Sequence, residues 1–144
     1  MASLDRAKKR PVPESHPMSH LAPAILVYEK RPRWESELKR ACAGERTLIR
    51  PCRSPTDLLE LCRSMPGSVI VADLEAGTAH VLRCLEQVLL ERLAAHPLII
   101  APAEAGDLEW SFPELGALGV LPESTRGEEL ADLCRRALGV GAAL

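Results

Sequence analysis

Short apolar runs alternate with amphipathic segments five times between residues 23 and 140, and this order constrains the chain more than any single residue does. Ala24-Ile25-Leu26-Val27-Tyr28, Ser68-Val69-Ile70-Val71-Ala72 and Leu98-Ile99-Ile100-Ala101 are four or five residues long, rich in β-formers, and apolar enough for strands buried on both faces. Thr47-Leu48-Ile49-Arg50 and Leu118-Gly119-Val120-Leu121 are weaker members of the same series. A helical stripe follows each of the first three strands. Trp34, Leu38, Ala41 and Cys42 form the first, with Pro32 tolerated at its start and Gly44 at its end. Leu58, Leu61, Cys62 and Met65 form the second, opened by the Ser54 cap and Pro55 and stopped by Pro66-Gly67. The third runs from about Thr78 to Ala95. After the fourth strand, Glu104 to Leu115 is irregular because Pro113 interrupts it. The last stripe is Leu130, Leu133, Cys134, Ala137 and Leu138, opened by a capping box from Thr125 to Glu128. Strands alternating with helices imply right-handed crossovers and a parallel sheet covered on both sides, a five-stranded doubly wound α/β domain.

The chain has 144 residues, one domain's worth. Residues 23–144 form the expected domain. The first 22, with three prolines between Arg10 and His20 and no usable periodicity, read as a disordered leader. His16 and His20 have helical metal spacing, but Pro17 between them argues for tail histidines. The Lys8-Lys9-Arg10 cluster reads as solvated tail. A net charge of −2 and 3% aromatic residues argue against a polyanion binder or a base-stacking platform, so no nucleic-acid partner is expected. No apolar run reaches membrane-spanning length and the N-terminus is unlike a signal peptide, so no membrane partner and a cytoplasmic location are expected. The five cysteines, Cys42, Cys52, Cys62, Cys84 and Cys134, include no C-x-x-C pair; buried thiols in a reducing compartment are expected, with no metal site and no disulfides.

In doubly wound sheets chemistry collects beyond the carboxyl ends of the strands. Here those ends carry Glu29-Lys30, Asp73, Ala101-Pro102 and Glu123. Ile25-Leu26-Val27-Tyr28-Glu29-Lys30-Arg31-Pro32, Val69-Ile70-Val71-Ala72-Asp73 and Gly116-Ala117-Leu118-Gly119-Val120-Leu121-Pro122-Glu123 together resemble the receiver domains of two-component response regulators. The resemblance covers residues 23 to 140. It implies a flavodoxin-like (βα)5 fold with strand order 2-1-3-4-5. It also implies aspartyl phosphorylation with a magnesium ion held by acids of the first and third strands, a hydroxyl after the fourth, and a lysine after the fifth.

Carried over by residue, Asp73 stands at the phosphoacceptor position and Glu29 at the first acid. Lys30 replaces the second acid, Ala101 or Pro102 the hydroxyl, Glu123 the lysine and Val120 the switch aromatic. Ala76-Gly77 stand where the family has Met-Pro. Magnesium takes six oxygens at about 2.1 Å, and an ammonium supplies none. A Lys30–Asp73 pair at about 4 Å attracts by about 4 kcal/mol gross, much of it lost to desolvation. The expectation is that Lys30 pairs with Asp73, Glu29 or Glu123 in the metal's place. The blander assignments are Asp73 as a turn cap, Glu29 and Lys30 as an exposed loop pair, and Glu123 as a solvated acid.

The chain ends at Leu144, and the expected function is that of a stand-alone degenerate receiver-like signalling module. It is expected to act by contact with another signalling protein or a second copy, without catalysis, cofactor or productive phosphorylation. The resemblance places the interaction surface on the fourth helical segment, fifth strand and last helix, which carry Trp110, Phe112, Leu130 and Leu133. Core filling is the competing role for the two aromatics. The alternative function is a magnesium-dependent phosphoacceptor that uses Asp73. A flavodoxin-like nucleotide or flavin binder ranks last, because the loop after the first strand lacks a Gly/Ser/Thr-rich phosphate cradle.

Overall fold

The computed structural model describes residues 22–102 and 113–139. Five strands, β1 (Ala24–Tyr28), β2 (Leu48–Cys52), β3 (Ser68–Asp73), β4 (Ala95–Ala101) and β5 (Gly119–Pro122), form one parallel sheet in the order β2-β1-β3-β4-β5. The helices are α1 (Trp34–Ala41), α2 (Pro55–Ser64), α3 (Thr78–Leu90) and α4 (Gly127–Leu138), with 3₁₀ turns at Leu74–Ala76 and Pro113–Leu115. The chain steps from β1 out to β2 and back past β1 to β3, so the order of winding reverses beside β1 and opens a crevice above the β1 and β3 ends.

The two-residue period of the central strands sorts their side chains between two cores. Ile25, Val27, Val69, Val71, Leu98 and Ile100 face Trp34 and Leu38 of α1 and Leu130, Ala131 and Cys134 of α4. Leu26, Tyr28, Ile70, Ala72, Ile99 and Ala101 face Leu58 and Cys62 of α2 and Val81, Cys84, Leu85 and Val88 of α3. Each fully buried aliphatic side chain contributes roughly 1.5–3 kcal/mol of transfer free energy. All five cysteines are buried and unpaired in these layers, as the sequence implies. Burial pushes the Cys52 and Cys134 thiols up to about 12 and Cys62 to about 11, the state of a packed thiol rather than a nucleophile.

Several element ends depart from the sequence expectation. α3 stops at Leu90, not near Ala95, because Arg92 adopts φ 56° and closes the helix. Its N–H donates to the Leu89 carbonyl and the Leu93 N–H to the Val88 carbonyl, a Schellman closure with arginine where glycine is usual. β4 then begins three residues early. β2 extends through Pro51, which an edge strand tolerates because its outer side needs no N–H donor. α1 begins at Trp34, leaving Pro32 in the preceding turn. α4 starts one turn-position later than the Thr125–Glu128 box: Glu129 Oε1 accepts the Arg126 N–H at 3.1 Å, and Thr125 is buried. The Ser54 cap of α2 is as expected, its hydroxyl accepting the Asp57 N–H at 3.0 Å. Among the described residues no helix is long and apolar enough to cross a membrane. The 1–22 leader lies outside them except for Ala22.

Candidate functional site

β1 delivers Glu29 to the top of the sheet, and α1 folds back so that its first turn sits directly on that carboxylate. Glu29 Oε1 accepts the N–H groups of Arg33 (3.1 Å) and Trp34 (2.9 Å), and Oε2 accepts that of Glu35 (3.1 Å). The N-cap residue, Arg33, has no acceptor to offer, so an acid four residues upstream satisfies three orphan amides of the helix. A negative charge is also favoured at a helix N-terminus.

β3 delivers Asp73, which is half-buried. Its Oδ1 accepts the Glu75 N–H at 2.9 Å and so caps the 3₁₀ turn that follows. Its Oδ2 accepts the indole N–H of Trp34 at 2.8 Å. Trp34 is fully buried, and an indole nitrogen can only donate. Arg33 lies over the same ring, its guanidinium carbon 3.7 Å from the centroid. It also donates to Glu37 Oε2 (3.2 Å) and to the Thr125 carbonyl (3.3 Å).

These groups border a cleft of about 520 Å³ lined by Arg31, Pro32, Arg33, Asp73, Glu75, Pro102 and Glu123. Besides Arg33, the cation that lines the cleft is Arg31. It pairs with Glu75, and that bond, helped by the fields of Asp73 and Glu123, holds its guanidinium above the ordinary arginine range. Glu123 is an exposed acid on the rim. Pro102 offers no hydroxyl, and Ala101 is buried below it.

The expected role of Lys30 is corrected by this geometry. Its side chain is exposed and lies by a separate hollow toward β2, with Glu29, Glu35, Pro51, Cys52 and Arg53. Among the described residues it enters no ion pair. Its ammonium stays in water, where it avoids the desolvation that a place in the cleft would exact. Of the four residues expected to share one charge cluster, Asp73 and Glu123 border the cleft. Glu29, which caps α1, and Lys30 line the separate hollow toward β2 instead. Sequence reasoning missed Arg31, Trp34 as a hydrogen-bond donor, and Glu75. The readable signal was Trp34 itself, since a buried indole N–H needs an acceptor.

The donor set is a poor match for a magnesium ion, because Lys30 stands where a second acid would supply oxygen and the Glu29 carboxylate is committed to capping α1. Both oxygens of Glu29 and both of Asp73 are engaged by N–H donors, and Lys30 brings no oxygen. Among the described residues no three Asp, Glu, His or Cys side chains gather as a ligand cluster.

The expected contact face is corrected in part. Leu130 is fully buried, and Leu133 packs against the same core, because the apolar stripe of α4 faces the sheet and α1. What α4 exposes is Glu128, Glu129, Asp132 and Arg136. Trp110 and Phe112 lie outside the described residues.

The fold is that of response-regulator receiver domains. The structure is similar to the signal receiver domain of a LuxO repressor protein described as putative from Vibrio parahaemolyticus, with a TM-score of 0.71 and 16% identity over 83% of this chain and 92% of that one. It is similar to the BeF3-activated receiver domain of Nitrogen Regulatory Protein C, with a TM-score of 0.67 and 20% identity over 83% of this chain and 97% of that one. A structure titled adenylate cyclase from Rhodopirellula baltica also matches, with a TM-score of 0.67 and 14% identity over 83% and 89%. No protein-family model matches the chain. No curated protein matches it.

Proposed function

We propose that this chain is a signalling module of receiver fold that works by binding another protein, or a second copy of itself, without productive aspartyl phosphorylation and without catalysis. A cytoplasmic site of action accords with this reading. The observation that carries it is the state of Asp73. A phosphoacceptor needs a free carboxylate oxygen, an adjacent cation and a basic group for the transferred phosphoryl. Here one oxygen of Asp73 holds the Trp34 indole, the other holds the 3₁₀ turn, and the rim position opposite is Glu123. A phosphoryl group on Asp73 adds roughly −1.5 to −2 charge, which Glu75 and Glu123 repel, while the cleft arginines Arg31 and Arg33 are already paired with Glu75 and Glu37. The solved receiver structures named above make signalling the natural context.

The test is intact-mass spectrometry of the full chain after incubation with acetyl phosphate and magnesium. The expected result is an unmodified mass. A phosphoryl adduct that disappears in Asp73→Ala overturns the reading and establishes the phosphoacceptor alternative.

A further inference from the structure

We propose that Trp34 and Asp73 form a permanent latch across the top of the sheet, which sets the positions of α1, the β3 turn and the loop leading into α4. The proposal deepens the reading above by naming what holds that site in one state, and it rests on that reading in treating Asp73 as unmodified.

Three observations converge on it. The indole N–H of a fully buried tryptophan has one acceptor, Asp73 Oδ2 at 2.8 Å. A buried donor that loses a charged acceptor leaves its own desolvation uncompensated, so the bond is expensive to open. The other oxygen of the same carboxylate fixes the backbone of Glu75, whose side chain pairs with Arg31 across the cleft. Finally, the indole face carries Arg33, and the Arg33 guanidinium reaches the Thr125 carbonyl just ahead of α4. α1 and α4 also approach closely beside it: a Cβ added at Gly127 would stand 2.8 Å from Glu37 Cβ. Asp73, Trp34, Arg33 and Thr125 therefore form one chain of contacts joining β3, α1 and the β5–α4 loop. Trp34 is the positioning residue in that chain. Any change at the Asp73 carboxylate is transmitted first to the indole and then to Thr125.

The experiment uses the full chain with Trp34→Phe, Asp73→Ala and the double variant, followed by chemical unfolding and by amide and indole hydrogen exchange. In a double-mutant cycle the two sites are expected to couple by about tenfold in the folding equilibrium constant, which is ~1.4 kcal/mol. The Trp34 indole N–H is expected to exchange among the slowest protons. In Asp73→Ala it exchanges at least tenfold faster than the fall in global stability accounts for, and the Thr125–Gly127 amides accelerate with it. Asp73→Asn, which keeps an acceptor oxygen, restores the indole protection and is the variant to read if Asp73→Ala fails to fold. Additive effects in the cycle, or indole exchange unchanged in Asp73→Ala, overturn the latch. That failure is distinct from failure of the functional reading, which is decided by the phosphoryl adduct on the unmutated chain.

Discussion

The two edges of the sheet are finished differently. At the carboxyl edge Glu29 caps α1, Asp73 holds an indole and a turn, and Arg31 and Arg33 pair with Glu75 and Glu37, while Lys30 and Glu123 stay exposed. The amino edge carries two unrelieved costs. Ser68 Oγ, at the start of β3, is buried with no hydrogen-bond partner among the described residues. Arg92, in the turn that leads into β4, holds a left-handed backbone conformation that non-glycine residues rarely adopt. Beside Ser68 lies an apolar hollow of about 270 Å³, lined by Pro23, Leu48, Met65 and Leu138 among others, with no charged side chain. Strain and unpaired polar groups usually collect where a protein does chemistry. In this fold the usual place is the carboxyl edge. Among the described residues, neither feature falls at that edge outside glycine.

The comparison makes opposite predictions for the two edges. The largest effect is a loss at the carboxyl edge. Glu29→Ala strips the acceptor from three helix amides and is expected to lower unfolding stability by about 2 kcal/mol, with Glu29→Gln losing about half of that. Denaturant titration measures both; a neutral Glu29→Ala would break the comparison. At the amino edge, substitutions are expected to help. Arg92→Gly removes the left-handed penalty and should raise stability by about 1 kcal/mol, read from the same titrations. Ser68→Ala deletes an unpaired buried hydroxyl and should gain a few tenths of a kcal/mol or more, where a hydroxyl in use would show a loss.

The smallest effect concerns pH. Hydrogen bonds from Arg63 and Gln87 hold the Glu91 carboxyl, at the end of α3, down to about 2. Its folded value lies below its unfolded one. The contribution is therefore complete above the ordinary glutamate range and disappears as pH falls from there toward 2. Carbon NMR titration of Glu91 checks it, and Arg63→Ala should raise the value toward the ordinary range, with the Gln87 bond still holding it down in part.

Much of the fold was legible because it rests on apolar periodicity. The β1 limits, the parallel sheet and the Ser54 cap follow from residues whose role depends on their near neighbours, while the strand order came with the receiver resemblance. What was not legible depended on distant partners. The end of α3 carries no glycine to announce it, and Arg92 takes the left-handed position instead. The start of α4 slipped by one because Glu128 and Glu129 both stand where a capping acid is wanted. At the site, Asp73 and Glu29 are legible as strand-end acids, whereas the groups that compensate them are not. Lys30 turns toward β2 while Arg31 turns over the cleft, and the chain direction alone does not say which of two adjacent cations goes where. Trp34 belongs to an apolar stripe by its spacing, while its nitrogen meets a residue 39 positions away.

The most direct test of internal saturation is a magnesium titration of the full chain followed at the Trp34 indole resonance, which reports on the Asp73 carboxylate through the hydrogen bond between them. With both Asp73 oxygens engaged, the resonance is predicted to stay in place through millimolar magnesium. A saturable movement that vanishes in Asp73→Ala would contradict the account.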